Sequence, residues 1–178
     1  RRILMRKEII FSGIGGQGIV KSAVLLSSGA NMAGFYSAQA ASYDAAARGA
    51  LTMGESVISD QPIDFPHVTE ADIHISFNEK GLERYNEKLK EEGVVIYDSS
   101  IFKSRDGGNV YPLPATELAI KELNKPFFAN IIMLGALMNF TGEIKYEHME
   151  RSIRKNFKKF IDENIKALKV GYESIEKR

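Results

Sequence analysis

The chain has 178 residues, 24 Lys and Arg against 23 Asp and Glu for a formal net charge of +1, and no cysteine. That length suits one domain with a well-buried core, and the balanced charge gives no pull toward nucleic acid or an acidic membrane surface. Without cysteine the chain itself ligates no iron–sulfur cluster or thiolate zinc and builds no disulfide framework, which suits a cytoplasmic protein.

No run reaches the ~18 apolar residues of a membrane span. Arg1 to Leu4 are set aside as an extension before Met5, so the domain is taken as 5–178. Lys7 to Ser12 predicts a strand. It leads into Ser12-Gly13-Ile14-Gly15-Gly16-Gln17-Gly18, whose glycines at 13, 15 and 18 fit the G-x-G-x-x-G spacing. Val20 to Ala33 predicts a helix closed by Gly34 in the left-handed conformation. Such a helix aims free N–H groups and its positive dipole end at the turn, where an anion could sit. A dinucleotide site would add an acid about 20 residues on. Phe35 to Gln39 holds none, and no Gly-Lys-Ser/Thr closes a P-loop. The alternative reading is that the glycines only let a helix pack close to a sheet.

Phe35 to Ser42 reads as a strand, Ser42 to Ala50 as a loop with one helical turn, and Glu55 to Ser59 as a second strand. Two strands in close succession without a crossover helix imply an antiparallel pair, so the sheet should be mixed. Ala71 to Phe77 alternates as a strand. Asn78 should cap a helix running to Glu92, with Leu82, Tyr85 and Leu89 as its apolar stripe and Gly93 as its stop. Val94 to Tyr97 reads as a strand covered on both faces, ending at Asp98. Lys103 to Asn109 is a polar turn and Val110 to Leu113 the last strand.

The remainder is helical. Thr116 should cap a helix to Asn124, which Pro126 prevents from continuing. Phe128 to Asn139 is apolar on most faces and belongs in the interior. Met149, Ile153 and Phe157 follow helical spacing, as do Phe160, Ile161, Ile165, Leu168, Tyr172 and Ile175. The tail from Lys145 carries an excess of basic residues, either a solvated face or a docking surface for an acidic partner. Strands alternating with helices predict an α/β fold: a three-layer α/β/α sandwich with a mostly parallel, mixed sheet and a Rossmann-like start.

His67, His74 and His148 are scattered and suggest no metal site. No G-x-S-x-G elbow and no paired carboxylates are visible, so no catalytic residue is assigned. The candidate cofactor-binding residues are Gly13, Gly15, Gly16, Gln17 and Gly18, joined by Tyr43 and Arg48. The Arg48 guanidinium could bind phosphate or carboxylate bidentately, or serve in an ordinary surface ion pair. Tyr43 could equally be a core residue with its hydroxyl satisfied. Asn130, polar in an apolar helix, suggests a backbone cap or a helix–helix contact.

Together these residues resemble the gamma subunit of the 2-oxoacid:ferredoxin oxidoreductases. Gly13-Ile14-Gly15-Gly16-Gln17-Gly18 matches that family's G-x-G-G-Q-G turn. Gln39-Ala40-Ala41-Ser42-Tyr43 with Arg48-Gly49 resembles its Q-x-x-S-Y-x-x-x-x-R-G stretch. Ser56 to Ile63, Ile96 to Ser100, Pro114 to Glu117 and Asn130 to Ala136 follow in the family's order. Asp44-Ala45-Ala46-Ala47 stands where the family often has Gly-Pro-Glu.

The resemblance implies a subunit of a complex that oxidatively decarboxylates a 2-oxoacid, closest to the 2-oxoglutarate branch. It makes acyl-CoA and carbon dioxide while reducing ferredoxin. Thiamine diphosphate with Mg2+ and iron–sulfur clusters would sit on alpha, beta and ferredoxin-like delta subunits. This chain has neither cysteines nor the Gly-Asp-Gly magnesium–diphosphate signature, and it would at most line the coenzyme A site. Two other readings stay open: a stand-alone nucleotide-binding module, and a scaffold in which the glycine turn is packing alone.

Overall fold

The computed structural model describes residues 5–44, 50–104 and 107–175. Six strands form one sheet: β1 (Arg6–Ile14), β2 (Tyr36–Tyr43), β3 (Leu51–Ser59), β4 (Ala71–Ser76), β5 (Leu89–Asp98) and β6 (Val110–Leu113). Their spatial order is β2-β3-β1-β4-β5-β6. β3 pairs antiparallel with both β1 and β2, whereas β1, β4, β5 and β6 pair in parallel. The sheet is therefore mixed and mostly parallel, as expected, with β3 as the one reversed strand.

Six helices accompany it: α1 (Ile19–Met32), α2 (Glu79–Tyr85), α3 (Ala115–Leu123), α4 (Ala129–Leu137), α5 (Tyr146–Asn156) and α6 (Ile161–Ser174). None of these is long and apolar enough to cross a membrane. α1 ends as its sequence predicts. Gly34 lies at φ +88°, and the Phe35 and Gly34 N–H groups donate back to the Ala30 and Asn31 carbonyls at 3.0 and 3.1 Å.

The two sheet faces are covered unequally. On one face Ile9, Phe11, Ile75 and Ile96 pack with α1, α4 and α6 in the main core. All nine residues of α4 are buried, the interior position its apolar sequence predicts. The opposite face buries a smaller cluster with Ile10, Met53, Val57, Val68 and Tyr85. There the cover is short α2 and the segment 60–70. Two buried carboxylates pin that segment. Glu8 accepts from the Thr69 and Glu70 N–H groups at 2.6 and 3.0 Å and from Arg6 Nε at 2.7 Å. Glu55 accepts from the Val68 N–H at 3.1 Å. Burial alone would raise the Glu8 carboxyl, but the hydrogen bonds from Thr69, Arg6 and Glu70 bring it below the ordinary carboxylate value.

Several expectations need correcting. The helix capped by Asn78 does not reach Glu92. It ends at Tyr85, a 3-10 turn covers Asn86–Lys88, and β5 begins at Leu89. Leu89 pairs with Ala71 across a register shift, and Gly93 lies inside the strand rather than stopping a helix. Here tertiary pairing with β4 overrides a helical sequence pattern. β3 starts at Leu51, four residues before the expected Glu55, and is buried along its whole length. Thr116 is not the cap of α3. That helix starts at Ala115, and the Thr116 N–H and hydroxyl both donate to the Asp98 carboxylate. Most of the Ser42–Ala50 loop, from 45 to 49, lies outside the described residues, as do 1–4, 176–178 and part of the Lys103–Asn109 turn.

α4 and α6 meet backbone to backbone. A methyl group at Gly171 would fall on the Ile132 carbonyl, and one at Gly135 on the Leu168 carbonyl. Neither helix can retreat, because α4 is enclosed by core. Gly171→Ala should therefore cost about 1–3 kcal/mol or more through overpacking. Urea denaturation should show a lowered midpoint with an unchanged slope.

Candidate functional site

The parallel strands deliver their C-terminal ends to one edge of the sheet, where open α/β sheets hold ligands. Gly15 to Gly18 follow β1, Phe77 and Asn78 follow β4, Ser99 to Phe102 follow β5, and Pro114 to Thr116 follow β6. β2 ends at the same edge, with Tyr43 opposite Thr52.

The glycine turn is braced from within. The Gln17 N–H donates to the Ile14 carbonyl at 3.2 Å, and Gln17 Oε1 accepts the Ile14 N–H at 2.8 Å. Gln17 Nε2 reaches the Phe77 carbonyl at 3.4 Å, tying the turn to the end of β4. Gly13 has no room for a side chain, since a Cβ would lie 2.5 Å from Gln17 Oε1 and 2.6 Å from Ile19 Cδ1. Gly16 and Gly18 adopt φ of +93° and +76°. A methyl group at Gly18 would also strike the Asn130 carboxamide, whereas Gly15 and Gly16 face open space. The turn thus has an inner wall fixed by packing and an outer rim free for contact.

A recess lies on each side of that rim. One, of about 350 Å3, is lined by Gly15, Gly16, Val20, Lys21, Tyr43 and Thr52. The other, of about 320 Å3, is lined by Gln17, Phe77, Ile101, Thr116, Phe127 and Asn130. No side chain caps the N-terminus of α1, and its first turn holds no acid but does hold Lys21. Free N–H groups, a positive dipole end and a lysine together favour an anion there.

The predicted residues fall as follows. Gly13 and Gly18 are packing positions. Gly15 and Gly16 form the rim, and Gln17 is the internal brace. Tyr43 is 67% exposed, so it is a surface residue at the recess rather than a core residue. Arg48 lies outside the described residues. Asn130 abuts Gly18 and lines the second recess; it is only 7% exposed, and no hydrogen bond joins its carboxamide to another described residue. Asp98, though at a strand end, is committed to Thr116 and the Ser100 N–H. Among the described residues no group of three or more His, Cys, Asp or Glu could hold a metal ion.

Sequence reasoning missed the buried network beneath the turn. Ser12 Oγ lies 2.7 Å from His74 Nε2 and donates to Ser76 Oγ at 3.0 Å; Ser76 Oγ donates to the Asn78 carbonyl at 2.8 Å. With Ser12 donating onward, His74 must donate from Nε2, which leaves Nδ1 without a partner. Alternation along β4 puts His74 and Ser76 on one face, but only the parallel register of β1 with β4 sets Ser12 beside Ser76. Burial holds His74 neutral, with its pKa lowered to about 3.

The unfolded chain takes up a proton on His74 near pH 6.5, whereas the folded chain does not. Stability contributed by the neutral ring is full above that value and falls as pH drops below it, by at most about 1.4 kcal/mol per unit. His74→Asn should flatten the dependence of urea-unfolding stability on pH between 6.5 and 4.5. Gly18→Ala should lower the thermal midpoint through strain and the Asn130 clash, while Gly15→Ala leaves it unchanged.

A family model described as pyruvate ferredoxin/flavodoxin oxidoreductase matches residues 8–174. The 2-oxoglutarate synthase subunit KorC of Methanocaldococcus jannaschii is 40% identical, over 97% of this chain and 96% of that protein. The crystal structure of a keto/oxoacid ferredoxin oxidoreductase gamma subunit from Geobacter sulfurreducens PCA aligns with a TM-score of 0.84 at 30% identity, covering 96% of each chain. The 2-oxoglutarate:ferredoxin oxidoreductase from Magnetococcus marinus, solved with 2-oxoglutarate, coenzyme A and succinyl-CoA bound, shares the fold at a TM-score of 0.82 and 21% identity. That match covers 97% of this chain and 32% of that one. By sequence and by fold, then, this chain belongs to the pyruvate ferredoxin/flavodoxin oxidoreductase family and is built as its gamma subunits are.

Proposed function

We propose that this chain is the gamma subunit of a cytoplasmic 2-oxoglutarate:ferredoxin oxidoreductase and contributes one wall of its coenzyme A site. The likeness to the M. jannaschii KorC over nearly the full length of both chains carries this reading. Alpha, beta and delta subunits complete the complex and pass electrons to ferredoxin. Thiamine diphosphate with Mg2+ supplies stabilisation of the substrate carbanion there, and iron–sulfur clusters carry the electrons. All of these groups belong to the partner subunits.

The chain's own residues fit a phosphorylated, amide-bearing thiol such as coenzyme A. The uncapped α1 N-terminus and Lys21 suit its phosphates. Asn130, with a free carboxamide in the second recess, suits an amide. Gly15 and Gly16 let a ligand approach the backbone, Gln17 keeps their shape, and Tyr43 flanks the opening. This division makes the chain a binding subunit that excludes water and orients coenzyme A.

The test is steady-state kinetics of the reconstituted complex. With 2-oxoglutarate, Gly15→Val and Tyr43→Ala should raise the KM for coenzyme A about tenfold, a loss of about 1.4 kcal/mol, with little change in the KM for 2-oxoglutarate. Full activity of the other subunits without this chain would overturn the reading. So would preference of the complex for pyruvate over 2-oxoglutarate, as regards its substrate.

A further inference from the structure

The two edges of the sheet are treated differently. β6 is four residues long and carries Pro112, which blunts it as a template for pairing. β2 has eight residues without charge or proline, and none of them is buried. Its register to β3 runs unbroken from Tyr36↔Ser59 to Tyr43↔Thr52, so no bulge twists it away. Among the described residues only β3 pairs with it in the sheet, and its other side is an open row of backbone donors and acceptors. Proteins seldom leave so long and unprotected an edge unless something pairs with it. The matching chemistry is another extended backbone.

The surroundings narrow the choice of occupant. Beside β2 runs a polar groove of about 450 Å3 lined by Ser27, Asn31, Ser37, Gln39, Lys155 and Asn156. At the Tyr43 end the adjoining recess holds Lys21, whose ammonium lies 3.4 Å from the Asn156 carbonyl. No carboxylate among the described residues forms an ion pair with Lys21 or Lys155. A second copy paired about a two-fold axis would bring the same lysines to the same edge, and β2 has no acid to answer them. A strand bearing acidic side chains would satisfy both the backbone row and the lysines.

We propose that β2 is a docking edge for an extended, acidic segment of a partner subunit, which adds to the sheet as a seventh strand beside Lys155. This rests on the reading that the chain works inside a multisubunit oxidoreductase. Its centre, the groove beside Lys155, lies apart from the glycine-turn recesses that kinetics of coenzyme A would probe and meets one of them only at Tyr43 and Lys21.

Hydrogen–deuterium exchange on the full chain, alone and in the complex assembled from co-expressed subunits, tests it. The amides of 36–43 should exchange at least tenfold more slowly in the complex. Lys155→Glu should weaken assembly at least tenfold, Lys155→Arg should not, and both isolated variants should unfold at the wild-type temperature. Added salt should weaken wild-type assembly. An assembled, active complex in which the 36–43 amides exchange as in the free chain would overturn the docking edge and leave the subunit reading standing. Protection that rises with the concentration of the isolated chain, with a doubled mass by light scattering, would identify a second copy as the occupant and overturn the acidic partner. Failure to assemble with any of those subunits would overturn both.

Discussion

The missing side chain at Gly18 is the constraint on which the rest of the site depends. It lets α4 bring Asn130 hard against the turn that follows β1. α4 in turn accepts α6 at backbone distance, because Gly135 and Gly171 leave no side chains between them. A sequence of close approaches therefore runs from the open rim of the turn to the C-terminal helix. With atoms this near, displacement of one helix is transmitted to the others rather than absorbed by flexible side chains. Gln17 completes the constraint from the other side by fastening the turn to Phe77.

Electrostatics divides the molecule into satisfied and unsatisfied regions. Beneath the sheet, polar groups are spent on structure. Glu8 and Glu55 hold the 60–70 segment in place of a longer helix, and Asp98 holds the start of α3. Ser12, His74 and Ser76 form a closed network with one bare ring nitrogen, tolerable because the imidazole stays neutral. At the sheet edge the reverse holds. The α1 N-terminus has neither side-chain cap nor acid, the Asn130 carboxamide has no hydrogen-bond partner among the described residues, and Lys21 adds positive charge.

Those properties suit a subunit that shapes a reaction without performing its covalent steps. It has no cysteine to hold a cluster, and its strand-end acid is already engaged. What it offers is backbone N–H groups, a carboxamide, an exposed tyrosine and a recess on each side of a rigid turn. Its family membership rests on a match that runs from residue 8 to residue 174 and on 40% identity to a relative over nearly the whole chain, not on one cluster of reactive groups.

The sequence alone determined much of this. Strand, glycine turn and helix were legible because local backbone demands leave few residue choices, as the left-handed Gly16, Gly18 and Gly34 show. The mixed sheet followed from the short link between β2 and β3, and the burial of α4 from its unbroken apolar run. Only the tertiary structure decided the rest. The stretch from Asn86 to Glu92 reads as the end of a helix, yet from Leu89 it is a strand, because hydrogen bonds to β4 outweigh a weak local preference. Gln17 was legible as part of a motif but not as its brace, and Ser12 met His74 only through strand register. Register, close approach and the partner of a buried polar atom are relations between distant residues, so local sequence cannot encode them one position at a time.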